Sequence, residues 1–316
     1  MSSRSSLFLV ILCLLACLVV QSHSALSSDQ QLYAILNLSI STLRSNGKLG
    51  SILAKYSADD IGLNCTSSLQ DQTSWPAATE LGTAMKQIIS TGTIRFCRSE
   101  TLTKTYFNMT SGLEYDIGKE IASMITSQYG KTVEVSWQRL ATKTAGFFPT
   151  VLDALNLNTC DAGFGSIAIT ADRVTQANFT CPYVNTYSAY LQGPRNLSLD
   201  LPTLNDLNQT GLIIAALPGT VYGNMAASLT KATFLSVADT TSGMQAAANG
   251  VASVFIGDYA FFNSISCPGC KAYKYGTPTQ LGILTRQISS YPRSAGEMLR
   301  ISSWLIVVVF MIALLL

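Results

Sequence analysis

Gly165-Ser166-Ile167-Ala168-Ile169-Thr170-Ala171-Asp172-Arg173, followed by Asn178-Phe179-Thr180-Cys181-Pro182-Tyr183, is the stretch on which the reading of this chain turns. It leaves a β-prone segment and delivers one arginine. A second stretch, Ser253-Val254-Phe255-Ile256-Gly257-Asp258, delivers one aspartate at the end of an apolar run. A guanidinium grips a carboxylate with two parallel N–H donors, and a carboxylate accepts hydrogen bonds from an ammonium. Arg173 and Asp258 facing each other in one cleft would therefore hold the two charged ends of an α-amino acid. The bland alternatives are a surface ion-pair residue for Arg173 and a helix N-cap for Asp258.

Around these residues strands and helices alternate from Gly92 onward, the mark of an α/β fold. Strand candidates are Thr93–Cys97, Thr132–Trp137, Asp161–Ile169, Leu212–Leu217 and Val251–Ile256. Glu114–Ser127 has helical spacing, with Ile117, Ile121 and Ile125 on one face. Phe147–Leu155 reads as a helix with Pro149 in its first turn, and Gly243–Asn249 as one that stops at Asn249-Gly250. Arg173, Thr220 and Asp258 all fall just past strands, where open α/β sheets bind ligands.

The charge balance is nearly even, 20 Lys+Arg against 18 Asp+Glu, with no basic run suggesting nucleic acid and no acidic tail. The one histidine, His23, lies in the leader described next. Residues 25–293 therefore have no Ser-His-Asp or Cys-His catalysis and no His-ligated metal. Carboxylate or lysine chemistry stays open. No cofactor and no metal are expected.

Residues 1–24 read as a secretory signal peptide: Arg4, the apolar run Leu7–Val20, and Ser22-His23-Ser24 before Ala25. A signal-anchor helix is the alternative. Trp304–Leu316 is uniformly apolar and 13 residues long, short of the roughly 20 that cross a bilayer as a helix. Small residues Ser294-Ala295-Gly296 and a spacer from Glu297 to Ser303 precede it. Residues 294–316 thus read as a GPI-attachment signal with Ser294 as the attachment residue; a membrane helix starting near Ile301 is the alternative. Six sequons, at Asn37, Asn64, Asn108, Asn178, Asn196 and Asn208, agree with a secretory route and predict surface positions for most of these asparagines. The expected place is the extracellular face of the plasma membrane.

Cys13 and Cys17 leave with the leader, and Cys65, Cys97, Cys160, Cys181, Cys267 and Cys270 remain, enough for three disulfides. Cys267-Pro268-Gly269-Cys270 reads as a small bridge around a Pro-Gly turn, since nothing around it resembles a redox or zinc motif. Spacing does not fix the other pairs; Cys160 with Cys181 and Cys65 with Cys97 is the arrangement expected here.

Four stretches resemble the type II periplasmic solute-binding proteins, in particular the polar-amino-acid-binding group, whose fold is shared by ionotropic glutamate receptor ligand-binding domains. They are Gly112-Leu113-Glu114-Tyr115-Asp116-Ile117-Gly118-Lys119-Glu120-Ile121-Ala122; Phe148-Pro149-Thr150-Val151-Leu152-Asp153-Ala154-Leu155 with Cys160-Asp161-Ala162; Ser166 to Arg173 with Asn178 to Tyr183; and Leu204-Asn205-Asp206-Leu207 with Leu217-Pro218-Gly219-Thr220. The resemblance spans roughly residues 92–285. It implies a two-lobed α/β fold with a hinge, and an amino acid or similar small zwitterion as ligand. It also implies roles. Ser166, Ala168 and Arg173 bind the ligand carboxylate from lobe 1, and the backbone at Thr220 and Val221, a helix N-terminus, binds it from lobe 2. Asp258 takes the ammonium, and Tyr106 or Phe107 stacks on the ligand. The chain departs from the family at Ala168, which lacks the usual hydroxyl, and before Tyr106, where a proline is missing. A longer stretch from Trp137 to Gly146 leaves open whether Trp137 or Thr144 lines the side-chain pocket.

Residues 28–59 add a feature of their own. Leu32, Ile35, Leu36, Ile40 and Leu43 share one helical face, Asn46-Gly47 stops it, and Leu49, Ile52, Leu53 and Tyr56 form a second stripe. Leu43 to Tyr56 resembles the element that closes such proteins, so a circular permutation is expected, with a separate helical cap as the alternative. The expected organisation is 1–24 signal peptide, 25–90 helical segment on lobe 1, 91–190 lobe 1, 191–275 lobe 2, 276–293 return to lobe 1, and 294–316 anchor signal. The crossings are expected near Ser188–Gly193 and Tyr275–Gly282. The expected function is capture of the ligand without turnover, with a transporter or receptor as a further partner. The rivals are an enzyme on the same fold, dehydratase- or transglycosylase-like, and a surface interaction module without a ligand.

Overall fold

The computed structural model describes residues 28–56, 58, 74–99, 111–141, 146–199, 201–262 and 267–287. The signal peptide, Cys65, the sequons Asn64 and Asn108, Tyr106, Phe107, Thr144 and the Ser294 anchor signal lie outside them. The described fold belongs to the unit Met1–Arg286, and Gln287 begins a second unit.

Three helices come first: α1 (Ser28–Ser45), α2 (Lys48–Lys55) and α3 (Thr83–Thr91). The apolar stripe of α1 is fully inside, with Leu32, Ile35, Leu36, Ile40 and Leu43 all at 2% exposure or less. Gly47 turns the chain between α1 and α2 with φ 78°, a left-handed conformation that suits glycine. Then follow β1 (Thr93–Ser99), α4 (Leu113–Tyr129), β2 (Glu134–Leu140), α5 (Phe147–Asn156), β3 (Ala162–Gly163) and β4 (Ala177–Phe179). β1 lies parallel between β2 and β3. With β10 (Leu284–Arg286), which runs antiparallel to β3 and β4, they form the first sheet, in the order β2-β1-β3-β10-β4.

The second sheet is built from β5 (Val184–Gln192), β6 (Ile213–Ala216), β7 (Thr233–Ser236), β8 (Val254–Asp258) and β9 (Lys271–Leu281), in the order β7-β6-β8-β5-β9. Its helices are α6 (Val221–Ser228), α7 (Thr240–Ala248) and the single turn α8 (Tyr259–Phe262). Parallel β6, β7 and β8 are joined through helices, while β5 runs antiparallel to β8 and β9. α7 starts three residues before the sequence reading had it, because Asp239 caps it and accepts from Ser242 N at 2.7 Å.

The chain crosses between the sheets twice, at Thr180–Tyr183 and at Gly282–Ile283. The crossings lie side by side: Thr180 N donates to Ile283 O and Tyr183 N to Leu281 O, both at 2.9 Å. The crossing expected near Ser188–Gly193 is corrected, since Ser188–Gln192 pair with β8 and β9 inside the second sheet, and the second crossing falls at the very end of the expected Tyr275–Gly282 because β9 stays in that sheet to Leu281. Asp161–Ile169 is also strand only at Ala162–Gly163, because Gly165 and Ser166 take positive φ and break the run.

α1 holds the first crossing. Tyr33 OH donates to Phe179 O at 3.0 Å, Asn37 Oδ1 accepts from Cys181 N at 2.6 Å, and Arg44 donates to Pro182 O. Asn37 is therefore buried, 7% exposed, and the surface position expected for this sequon is overturned. Asn178, Asn196 and Asn208 are half-buried. Cys97 bridges to Cys160 and Cys267 to Cys270. Cys181 is disulfide-bonded to none of these four. The expected Cys160–Cys181 and Cys65–Cys97 pairs are thus corrected: β1 and β3 pair in parallel, which brings Cys97 in β1 beside Cys160 ahead of β3, with Cα atoms 5.6 Å apart.

Candidate functional site

On the first lobe the site grows out of β3. Gly165 has φ 123° and Ser166 φ 54°, a left-handed position that is costly for a non-glycine residue. The turn aims two backbone N–H groups at one acceptor, Glu114 Oε1, at 3.2 Å from Gly165 N and 2.5 Å from Ser166 N. Tyr183 OH donates to the same oxygen at 2.6 Å. Glu114 stands in the first turn of α4 and is completely buried. Arg98, 3% exposed, lies close enough for its charge and that of Glu114 to act on each other. Burial pulls Arg98 down to about 10, while Glu114 and Tyr183 hold it up.

Arg173 opens a short 3-10 turn and is 8% exposed. Its guanidinium lies over the Phe148 ring, 4.7 Å from the centroid, a cation–π contact that fixes the side chain. Nη1 donates to Ala168 O at 3.2 Å and Nη2 to Gly219 O, on the second lobe, at 3.3 Å. Of the five N–H donors an arginine carries, the rest have no acceptor among the described residues. Burial pulls the group down to about 10, so it remains a cation at neutral pH.

The second lobe contributes the turn after β6. Thr220 caps α6: its Oγ1 accepts from Gly223 N at 3.0 Å and donates to Leu217 O at 2.7 Å. Only a glycine fits at 223, since a Cβ there would lie 2.2 Å from Leu217 O. The cap leaves the first N–H groups of α6, from Val221 onward, without intrahelical partners and with the positive end of the helix behind them.

Asp258 is the last residue of β8, opposite Ser188, and is 2% exposed. It accepts from Ala260 N at 3.0 Å, so it also serves as the N-cap of α8. Burial pushes its carboxyl from 3.8 up to about 6, against the pull of the Thr186 hydroxyl, the Ala260 N–H and the Tyr222 hydroxyl. The lobes touch directly: a Cβ on Gly146, the N-cap of α5, would lie 2.5 Å from Gly219 Cα.

Ser166, Ala168, Arg173, Thr220, Val221 and Asp258 line one cavity between the lobes, of about 50 Å³ of water-accessible space. Six of the eight residues singled out from the sequence are thus brought together; Tyr106 and Phe107 lie outside the described residues. Trp137 is not among the lining. It packs against Phe96, Phe164 and Tyr115 in the first lobe, at ring distances of 5.3, 5.5 and 6.1 Å. Sequence reasoning missed Glu114, Phe148 as the ring under Arg173, and Tyr222 and Thr240 in the cavity wall. Glu114 and Phe148 stood inside quoted stretches without a role, and Tyr222 follows Val221 directly. Among the described residues no cluster of acidic, histidine or cysteine side chains could hold a metal ion, and no helix is long and apolar enough to cross a membrane.

No family profile and no curated protein sequence matches the chain. Solved structures do. An ancestral amino acid-binding protein, a precursor of cyclohexadienyl dehydratase, is similar with TM-score 0.55 and 19% identity over 65% of this chain and 86% of that one. A mutant of ArgBP from T. maritima gives 0.54 and 17% over 65% and 86%, and holo ArgBP gives 0.53 and 17% over 64% and 86%. The fold is the two-lobed, type II periplasmic-binding-protein-like α/β fold.

Proposed function

We propose that this protein captures an amino acid or similar small zwitterion between two closing lobes and does not turn it over. One observation carries the reading: a buried cation from lobe 1, Arg173, and a buried anion from lobe 2, Asp258, line the same small cavity. The ligand carboxylate docks on the uncommitted N–H groups of Arg173, with Ser166 and Ala168 beside it, and receives the first N–H groups of α6 at Thr220 and Val221. Asp258 accepts from the ammonium, and Tyr106 or Phe107 stacks on the ligand. Closure is a hinge motion through the paired crossings at Thr180–Tyr183 and Gly282–Ile283. Solved neighbours described as amino acid-binding and arginine-bound support the ligand class.

The surroundings of the function are part of the proposal. The signal peptide, the sequons other than the buried Asn37, and the Ser294 anchor signal support a protein on the extracellular face of the plasma membrane, GPI-anchored and glycosylated, serving a transporter or receptor. We also infer a circular permutation, with α1 and α2 standing where the family's closing helices stand. The support is that α1 packs on α4 and β10, and that Ile94 shares its core. Superposing T. maritima ArgBP without regard to chain order tests this; closing helices that miss α1 and α2 would leave a separate cap as the reading.

The test of capture is a thermal-shift screen of the purified chain against the amino acids, with Arg173→Ala alongside. A ligand at a hundred times its dissociation constant raises stability by about 2.7 kcal/mol, and that rise is expected to vanish in the variant. A folded protein that no amino acid stabilises would point to the interaction-module reading. The raised carboxyl of Asp258 is what a dehydratase-like enzyme would need; chromatography of the ligand after prolonged incubation is expected to recover it unchanged.

A further inference from the structure

We infer that the fold sorts the sequons: Asn208 carries an N-linked glycan, and Asn37 and Asn196 do not. This rests on the secretory reading and narrows it to particular nitrogens.

A sequon specifies a short motif, but the sugar goes on one atom, the amide Nδ2. That nitrogen displaces the diphosphate of a polyprenyl diphosphate-linked oligosaccharide supplied by the secretory pathway. A bond from Nδ2 to the anomeric carbon forms, and the bond from that carbon to the phosphate oxygen breaks. The lipid diphosphate leaves, and the nitrogen gives up one of its two protons. The folded chain must then leave Nδ2 one N–H at most and hold a bulky, hydrated sugar beside it. Transfer acts on the chain as it emerges, so a sugar that the fold cannot hold is missing from the folded product.

Two sequons fail this requirement. Asn37 Oδ1 accepts from Cys181 N at 2.6 Å, and its Nδ2 is sealed between α1 and the first crossing. A sugar on that nitrogen would lift α1 off the crossing. Asn196 ends the short turn Pro194–Asn196 after β5. Its Nδ2 donates to Ala252 O at 3.2 Å and to Ser253 O at 3.3 Å, fastening the turn to the chain that enters β8. A sugar there would take the place of one of these donors and force the turn away.

Asn208 is held the other way round, by its oxygen. It follows the turn Leu204–Leu207, and its Oδ1 accepts from Lys231 N at 2.8 Å, while its Nδ2 has no acceptor among the described residues. An N-glycosidic link leaves that oxygen an acceptor, so the anchoring bond survives modification. The surroundings are open. Gln209, Thr210 and Lys231 are exposed, and a Cβ on Gly211 would meet nothing within 4 Å. Lys231 leads into β7, the edge strand of its sheet. Asn208 also precedes β6, whose far end leads to Thr220 and the cavity, so a glycan there leaves the cleft clear. Asn178, in β4, gives one N–H to Arg286 O at 2.7 Å and keeps the other, so it is not among the excluded sites.

The experiment is expression of the full chain in a eukaryotic secretory host and purification of the folded protein. Glycans are then removed by a peptide N-glycosidase in heavy-oxygen water, which turns each occupied asparagine into a labelled aspartate read by peptide mass spectrometry. The expected result is label at Asn208 in most chains and none at Asn37 or Asn196. Label at Asn37 or Asn196 in the folded protein would overturn the inference. So would an unlabelled Asn208 on a chain whose leader has been removed, with the secretory reading left standing. A chain that keeps its leader and carries no label anywhere would overturn both.

Discussion

The two lobes bring different things to the cleft. Lobe 1 brings a frame that is held in place by the protein itself: the Ser166 turn is pinned to Glu114, and Arg173 rests on Phe148 with further N–H groups still open. Cys97–Cys160 ties β1 to the strand beside it. Lobe 2 brings a helix start and a carboxylate that is poorly accommodated where it stands. Asp258 is buried, and burial outweighs the polar groups beside it, of which the Ala260 N–H donates to it at 3.0 Å. The contrast implies a division of labour. In the proposed capture, the preorganised lobe 1 would receive the carboxylate and lobe 2 would gain when an ammonium arrives, so the ligand itself would favour closure.

Removing the centre of the lobe 1 frame gives the largest effect. Glu114→Ala leaves two N–H groups and a tyrosine hydroxyl buried without their acceptor, and Arg98 without its neighbouring charge. A loss of about 3–5 kcal/mol in urea unfolding is expected; a loss under about 1 kcal/mol would show that the frame is not pinned there. The disulfides sharpen the same contrast. Replacing Cys97 and Cys160 by serine releases a 63-residue separation and is expected to cost about 4 kcal/mol. The same change at Cys267 and Cys270, three residues apart, is expected to cost at most about 2 kcal/mol. Equal costs would deny that lobe 1 depends more on its long-range bridge.

Asp258→Asn works in the opposite direction. The amide keeps an acceptor for Ala260 N and sheds the buried charge. At pH 7 the empty protein is expected to gain up to about 3 kcal/mol while losing ligand binding; a destabilised variant would mean that Asp258 is only a cap. pH gives the smallest and most graded probe. The folded carboxyl lies above its ordinary value, so the folded chain holds the proton longer than the unfolded one. Its contribution to the empty protein is full below about pH 4 and is lost as pH rises through about 6. Binding has the reverse sign, because an ammonium prefers the ionised form. Affinity is expected to weaken by about tenfold per pH unit below 6, measured by titration from pH 7.5 to 5; a flat profile would remove Asp258 from the site.

Much of this was legible in the sequence because the groups that meet the cavity sit at strand ends and helix starts, which local patterns mark. Ser166, Arg173, Thr220 and Asp258 are of that kind. Glu114 is not: its partners are 51, 52 and 69 residues away, and a glutamate in the first turn of a helix ordinarily reads as a dipole partner in solvent. Asn37 fails for a related reason, since a sequon reports three residues and not the backbone N–H of Cys181 that buries it. The first crossing was misplaced because Tyr183 to Gln192 is continuously β-prone, and periodicity does not say which sheet a strand joins. Disulfide pairing depends on strand order, which the spacing of cysteines does not carry.

The most direct test of the account is a cycle between protein and ligand: the amino acid that stabilises the chain most in the thermal-shift screen, and its carboxamide, titrated against the native chain and against Arg173→Ala. If Arg173 holds the carboxylate, replacing that carboxylate by an amide weakens binding to the native chain, and the variant no longer distinguishes the two ligands, with a coupling of about 2–5 kcal/mol. Losses that simply add, with the variant still preferring the free acid over its amide by the native margin, would place the carboxylate elsewhere and contradict the site described above.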